Sequence, residues 1–337
     1  MMLDKALAGP RLLRFLNVST GECIRMDLPE LAEHTLLALT PEGLLLLLHE
    51  PSLVVRLLNP LTRQLTDLPP VTALLTPEQQ RARRWGHKLG ESIRVDGVGL
   101  VVDASTAAVR FHYPTVLAVA KPGDESWTVV DHGYINSVLP FGGRFYCATY
   151  NGVVVLNISS DQQMACLRMA VERSRSLINF SALKDSLHLV DNGRELMLVH
   201  RMLCPGNDAE DDVEDDAEDD VEDDAEDDGN YKMKYEVYRV DLNAGILIPV
   251  KSFNGQAVFM GRSRTISISA EAFPSVAADT LYMGFDCDEK RRMDGYNLAD
   301  GSNEPCHYDP SVAGRVQPST LIDCLSYCVR GIGKQLA

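Results

Sequence analysis

Apolar residues in this chain fall in short runs of about 4–7, separated by clusters of Gly, Asn, Asp and Pro. That spacing predicts strand, turn, strand almost throughout. Leu44 to His49 and Leu53 to Leu58 read as a hairpin around Glu50-Pro51-Ser52. Arg144 to Thr149 and Val153 to Leu156 read as a second around Tyr150-Asn151-Gly152, and Leu187 to Val190 with Glu195 to Val199 as a third around Asp191-Asn192-Gly193. Asn-Gly is a strong hairpin signal because both central positions must accept positive φ. Helical spacing is confined to two windows, Pro77 to Lys88 and Leu321 to Val329, the latter stopped by Gly331.

An internal repeat organises these strands. Leu12-Leu13-Arg14-Phe15-Leu16-Asn17-Val18-Ser19-Thr20 aligns with Val54-Val55-Arg56-Leu57-Leu58-Asn59-Pro60-Leu61-Thr62 at an offset of 42. Each copy runs on into Asp-Leu-Pro, at Asp27-Leu28-Pro29 and Asp67-Leu68-Pro69, here at an offset of 40. Looser copies end strands at Asn157, Asp241 and Asn297, and the hairpin at Tyr146 is expected to recur near His188. The Asx residue closing each strand fits a tight turn, its side chain bonding nearby backbone. A period near 42 built from short strands is the arithmetic of a β-propeller of four-stranded blades, which take about 40–50 residues each. The length allows six or seven blades. A pair of antiparallel sandwiches is the alternative, but sandwiches seldom repeat a turn sequence at one-blade spacing.

Charge changes the picture in one place. The chain has 337 residues and a formal net charge of −16, yet 16 of its 48 acidic residues lie between Asp208 and Asp228, where no basic residue occurs. The other 32 acids balance the 32 bases, so a general basic surface for nucleic acid is not indicated. The acidic run repeats Glu-Asp-Asp-Val/Ala and lies between two predicted strands, so residues 206–229 are expected to be a disordered loop insert. A calcium loop starting at Asp224 would place Gly229 at its sixth position but Tyr235, not Glu, at its twelfth. The expected domains are a propeller over 1–316 and a C-terminal helix and tail over 317–337.

No signal-peptide pattern is read in the first twenty residues, and Leu36 to Leu58 is too interrupted to span a membrane. The sequons at Asn17, Asn157 and Asn179 are then chance, and the eight cysteines, with no CxxC, are expected to be reduced and mostly buried. A cytoplasmic or nuclear protein is expected.

Candidate chemistry is sparse. The eight histidines form no HExxH or equivalent pair, and neither a GxSxG elbow nor a GxxxxGK[ST] loop occurs. Gly97-Val98-Gly99 lacks a third glycine and continues into a strand, so it is not a dinucleotide loop. Cys324 and Cys328 share the face of the predicted terminal helix, as packed apolar residues would. Arg81, Arg83, Arg84 and Lys88 around Trp85 form one basic cluster, read as a solvated helix face or one answering the acidic loop. No catalytic, cofactor-binding or metal-binding residue is assigned. Leu28-Pro29-Glu30-Leu31 with Leu36-Leu37 imitates the start of an F-box. Pro41-Glu42-Gly43 then interrupts any helix, and Asp-Leu-Pro recurs in the second repeat, so these leucines are expected to be buried in a blade.

With the repeats placed, the chain resembles the plant F-box-associated β-propeller family of KIB type. The resemblance rests on Leu57-Leu58-Asn59-Pro60-Leu61-Thr62 with Asp67-Leu68-Pro69-Pro70, on Ala120 to Thr128 around Trp127, and on Phe141-Gly142-Gly143-Arg144-Phe145-Tyr146. It continues through Tyr235 to Asp241, Ala257 to Gly261, Ile266-Ser267-Ile268, Phe273-Pro274 and Gly295 to Gly301. The family implies a propeller that, in many members, follows an F-box and presents substrates for ubiquitination. It supplies no catalytic residues. The resemblance implies a non-catalytic protein-interaction module with a protein partner. No cofactor, membrane or small-molecule ligand is implied, and direct docking on a ligase scaffold is not expected. The alternative is an enzyme with a small-molecule site in the propeller channel, which convergent His, Asp or Glu side chains there would favour.

Overall fold

The computed structural model describes residues 2–4, 11–16, 23–90, 92–101, 105–158, 165–172, 185–193, 195–205, 231–261, 265–273, 276–283 and 295–304. Their strands form six sheets. The first holds β1 (Met2–Asp4), β2 (Leu12–Leu16) and β3 (Cys23–Asp27). The second is a meander of β4 (His34–Leu39), β5 (Leu45–His49), β6 (Val54–Leu58) and β7 (Leu65–Pro70). The third repeats it with β8 (Arg94–Val101), β9 (Thr106–Tyr113), β10 (Val116–Ala120) and β11 (Thr128–Asp131). The fourth has β12 (Ile135–Phe141), β13 (Arg144–Thr149), β14 (Gly152–Ile158) and β15 (Ala165–Glu172). The fifth has β16 (Ser186–Asp191), β17 (Leu196–Pro205), β18 (Tyr231–Asp241) and β19 (Ile246–Val250). The sixth orders β20 (Gln256–Met260), β21 (Thr265–Ser269), β22 (Thr280–Met283), β23 (Gly295–Asn297) and β24 (Asn303–Glu304) as β21-β20-β22-β23-β24.

Both faces of the sheets are buried, which is why the strands read as unbroken apolar runs rather than alternating ones. In β5, Leu45 and Leu47 pack with Leu13, Phe15 and Leu28 of the first sheet's side, while Leu46 and Leu48 pack with Val98, Val109 and Phe111 of the third. In β13, Phe145 and Cys147 join Leu117 and Val119, while Tyr146 and Ala148 join Leu187 and Leu198. In β17, Met197 and Val199 face Val258 and Leu281 of the sixth sheet. Each of the second to fifth sheets is thus a layer between two others. Strand β4 lies against β8, β8 against β12, β12 against β16 and β16 against β21, so the inner strands succeed one another around a centre. This is a propeller, not a pair of sandwiches.

Gly97 and Gly99 of β8 are strand residues, as expected, and the structure shows why they are glycines. A Cβ at either would lie 2.2 Å from Val138 or Pro140 of β12, so their absence lets two inner strands close together.

The strands of the first two copies of the repeat correspond, β2 with β6 and β3 with β7 at an offset of 42, and each Asp-Leu-Pro leads into a 3-10 turn, Pro29–Glu33 or Val71–Leu74. Leu28 and Leu31 are buried, and Leu36 packs beside them, so the F-box-like stretch belongs to a blade. All three expected hairpins form.

Three expectations need correction. Two sheets depart from the regular blade: among the described residues the first has three strands and the sixth has five, with β20 and β22 paired in parallel. The Tyr146 hairpin does not recur at His188 in the same blade position. Tyr146 lies on the second strand of its sheet and His188 on the first of the next, and the second strands begin 52 residues apart, at Arg144 and Leu196. Nor does the first helix reach Lys88; α1 spans Pro77–Arg84. Trp85 caps it, Gly86 takes φ +81°, and the Gly86 and His87 amides donate to Arg83 and Ala82 carbonyls at 2.9 and 3.1 Å, a Schellman stop. Asn17, residues 206–229 and the predicted helix at Leu321 to Val329 lie outside the described residues.

Candidate interaction face

Connectivity divides the propeller's loops into two sets. In a meander the first strand starts at one end of the sheet and the fourth finishes there, so links between sheets and turns between second and third strands share one side, the front. Turns between first and second, and between third and fourth, share the back.

Back-face turns close on themselves. Asn59 Oδ1 accepts the Leu61 and Thr62 amides at 3.0 and 3.2 Å between β6 and β7. Asp241 Oδ1 does the same for Asn243 and Ala244 at 3.0 and 2.9 Å, and Asn297 Oδ1 accepts the Ala299 amide at 2.9 Å. The amide of Ala244, then that of Asn243, holds the Asp241 carboxylate below the usual carboxylate range. These are three of the Asx positions picked out by the repeat; a fourth, Asn157, lies within β14 opposite Cys166 instead of in a turn.

Front-face connections display aromatic side chains. The largest described link joins β7 to β8 and carries α1. Thr76 and Gln79 form a capping box at its start, the Gln79 amide reaching Thr76 Oγ1 at 3.2 Å and the Thr76 amide reaching Gln79 Oε1 at 3.0 Å. Gln79 is buried, and its Nε2 donates to the carbonyls of Ser92 and Tyr113 at 3.2 and 3.4 Å. Leu74, Leu75, Leu89 and Ile93, before and after the helix, sink into the core between the second and third sheets. The link is therefore pinned on both sides of its outer turn. That outer turn exposes Arg81, Arg83, Arg84, His87 and Lys88, with Trp85 79 % exposed among them. Arg81 pairs with Glu78 at 3.2 Å; Arg83, Arg84 and Lys88 have no ion pair among the described residues.

Tyr113, Tyr134 and Tyr150 are also exposed, at the β9–β10 turn, the β11–β12 link and the β13–β14 turn. With Trp85, they are the exposed Trp and Tyr side chains among the described residues, and all four are on the front. Tyr134's link is held from below. Arg110, buried between the third and fourth sheets, donates from Nη2 to the Gly133 carbonyl at 3.2 Å, and the Asp131 carboxylate accepts the Gly133 amide. Burial lowers the Arg110 pKa. Strands β17 and β18 pair as far as Pro205 and Tyr231, at the front end of the fifth sheet.

Of the residues examined in the sequence, the basic cluster and Trp85 come together as one exposed surface. Among the described residues, the histidines do not gather at one site. His34 and His49 stack at 5.0 Å beside Arg56, whose Nη1 lies 3.0 Å from His34 Nε2; His200 pairs with Asp185 at 3.3 Å; His112 pairs with Asp96 at 3.1 Å. No group of three or more His, Cys, Asp or Glu side chains among the described residues is placed to hold a metal ion. Burial pushes the Cys147 thiol up to about 12, which removes it as a nucleophile at neutral pH. Sequence reasoning missed Gln79, Arg110 and the three tyrosines. The Thr76-Pro77-Glu78-Gln79 spacing did carry a capping signal that would have located the first.

The chain matches the KIB1-4 beta-propeller family over residues 15–309. It belongs to that family. No curated protein matches it. Among solved structures, the KIB propeller is similar to the extracellular domain of the one-component system BT4673 from B. thetaiotaomicron, at 11 % identity and a TM-score of 0.25, over 77 % of this chain and 42 % of that one. The KIB propeller thus spans less than half of that structure's length. No helix among its described residues is long and apolar enough to cross a membrane.

Proposed function

We propose that this chain is a non-catalytic protein-interaction module whose front face binds a protein partner, in the manner of the substrate-recognition propellers of plant F-box adaptors. The observation that carries this reading is the β7–β8 link. A buried glutamine and flanking core leucines hold it rigidly, while its tip offers a tryptophan and three arginines to solvent. Trp, Tyr and Arg dominate binding hot spots, and a surface ordered before binding loses less entropy on docking. Leu28 and Leu31 are core residues and are not free to dock on a ligase scaffold. The purified protein should therefore not co-purify with the scaffold adaptor through residues 28–39. A cytoplasmic or nuclear location fits the free cysteines at Cys147, Cys166 and Cys204.

Proximity labelling in cells, comparing the native chain with a Trp85→Ala/Arg83→Glu/Arg84→Glu variant and with a back-face Leu61→Ser variant, tests the reading. The front variant should lose a set of labelled proteins that the back variant keeps. Equal labelling by all three chains would overturn it.

A further inference from the structure

We infer that the outer turn of the β7–β8 link docks an acidic segment of a partner protein that also carries a large apolar side chain; this rests on the interaction reading above and names the partner's chemistry. Two features of the turn decide it. Arg83, Arg84 and Lys88 are exposed without an ion pair among the described residues, beside Arg81. They flank the indole of Trp85, which offers apolar surface to a ligand. Carboxylates satisfy the guanidinium forks in bidentate fashion, and an aliphatic or aromatic side chain covers the ring. The protein's own acidic run joins β17 to β18, whose paired ends are on the same face, but it meets half of that specification. Between Gly206 and Asn230 it offers only Gly, Asn, Ala, Val, Asp and Glu, with no large side chain to cover Trp85. Its 16 carboxylates carry the same sign as the incoming segment, a like-charge repulsion that ionic strength screens.

The two tryptophans of the chain make the test direct, because Trp127 is buried in the core and Trp85 is not. Three synthetic peptides of about fifteen residues serve as probes. One is Asp/Glu-rich with a central Leu and Phe, one has the same charge with Ala in their place, and one is a Lys-rich counterpart of the first. Tryptophan emission and fluorescence anisotropy of labelled peptides report binding to the full chain. The acidic Leu/Phe peptide should bind and shift emission to the blue. The shift should vanish in Trp85→Phe, and Kd should rise at least about tenfold in Arg81→Glu/Arg83→Glu/Arg84→Glu, whose circular dichroism and melting temperature check folding. Deleting residues 206–230 should tighten binding at low salt and leave the emission of the free protein unchanged.

Several results would overturn the inference. They are failure of the acidic Leu/Phe peptide to bind, equal binding of the Ala peptide, stronger binding of the Lys-rich one, or tighter binding of a single-stranded oligonucleotide of matched charge. A red shift of free-protein emission on deleting the insert would also do so, since the chain's own acidic run would then be the occupant. If the peptides fail while the front variant still loses its labelled partners in cells, the acidic chemistry falls and the interaction module stands.

Discussion

The two faces of this propeller are built from the same strands and solve different problems. On the back, turns such as 59–64 and 241–245 spend their polar side chains on their own amides, leaving little for a partner to read. On the front, the link carrying α1 directs its hydrogen bonds inward through Gln79 and leaves its aromatic and cationic groups outside. A loop whose polar groups are satisfied internally can be short. A loop that must hold a fixed shape while presenting apolar surface needs anchors in the core, and the β7–β8 link has them in Leu74, Leu75, Leu89 and Ile93.

The pair of tryptophans gives the largest contrast. Trp127 is 6 % exposed, stacks edge-on with Phe111 at 5.7 Å and donates from Nε1 to the Pro69 carbonyl at 2.8 Å. Trp127→Ala should destabilise the fold by roughly 3–5 kcal/mol. Trp85→Ala should leave stability within about 0.5 kcal/mol, as exposed substitutions do. Urea unfolding of the two variants measures both. A Trp85→Ala loss comparable to that of Trp127→Ala would mean the front link is part of the core rather than a display.

Acid should separate the inner strands from the back turns. His188 on β16 is buried, and desolvation pulls its pKa down to about 4; His34 on β4 is lowered too, first by desolvation. A histidine held neutral in the fold but protonated when unfolded contributes stability that is fully present above its unfolded pKa near 6.5. That contribution is lost as pH falls toward the folded value, here for His188 up to roughly 3 kcal/mol between pH 6.5 and about 4. Asp241 and Asp300 are depressed by hydrogen bonds, so their contribution is present above about pH 3.8 and is lost only below it. Melting temperature against pH should therefore fall first in the histidine window, and His188→Gln should flatten that limb. A flat profile from pH 7 to 4.5 would contradict the burial of neutral histidines.

How much of this was legible depends on distance along the chain. Asn59, Asp241 and Asn297 were readable because an Asx turn is encoded within four residues. The apolar runs at Leu45–Leu48 and Met197–Val199 were readable as strands, and two-sided burial explains why they do not alternate. The misplacement of His188 came from a period that does not hold: the link after β15 lengthens one repeat, and a fixed offset then equates the wrong strands. The front face was not legible at all as a face. Trp85 and Tyr134 lie in links between sheets and Tyr113 and Tyr150 in turns between second and third strands, and only the alternation of strand direction brings them to one side.

Gln79→Ala tests whether the front link is held or merely tethered. Removing the side chain leaves the Ser92 and Tyr113 carbonyls without that donor and breaks half of the capping box, a loss of about 1–3 kcal/mol. Partner labelling should fall with it although no exposed residue has changed. Retained labelling at reduced stability would show that the arginines act without a fixed frame.

A smaller effect than that of Gln79→Ala is expected on the back. Asn59→Ala removes the acceptor for the Leu61 and Thr62 amides, which then turn to water at this exposed site. A lost side-chain cap of this kind costs about 1 kcal/mol, and exposure of the turn keeps the figure near the low end. Asn59→Asp restores an acceptor at the same place and should recover most of that stability. Neither variant should alter front-face binding, because the turn and α1 lie at opposite ends of the second sheet. Denaturant midpoints of the three chains, read beside their peptide affinities, check both halves. If Asn59→Ala weakens peptide binding as much as Gln79→Ala does, the faces are coupled through the blade and do not act as separate regions.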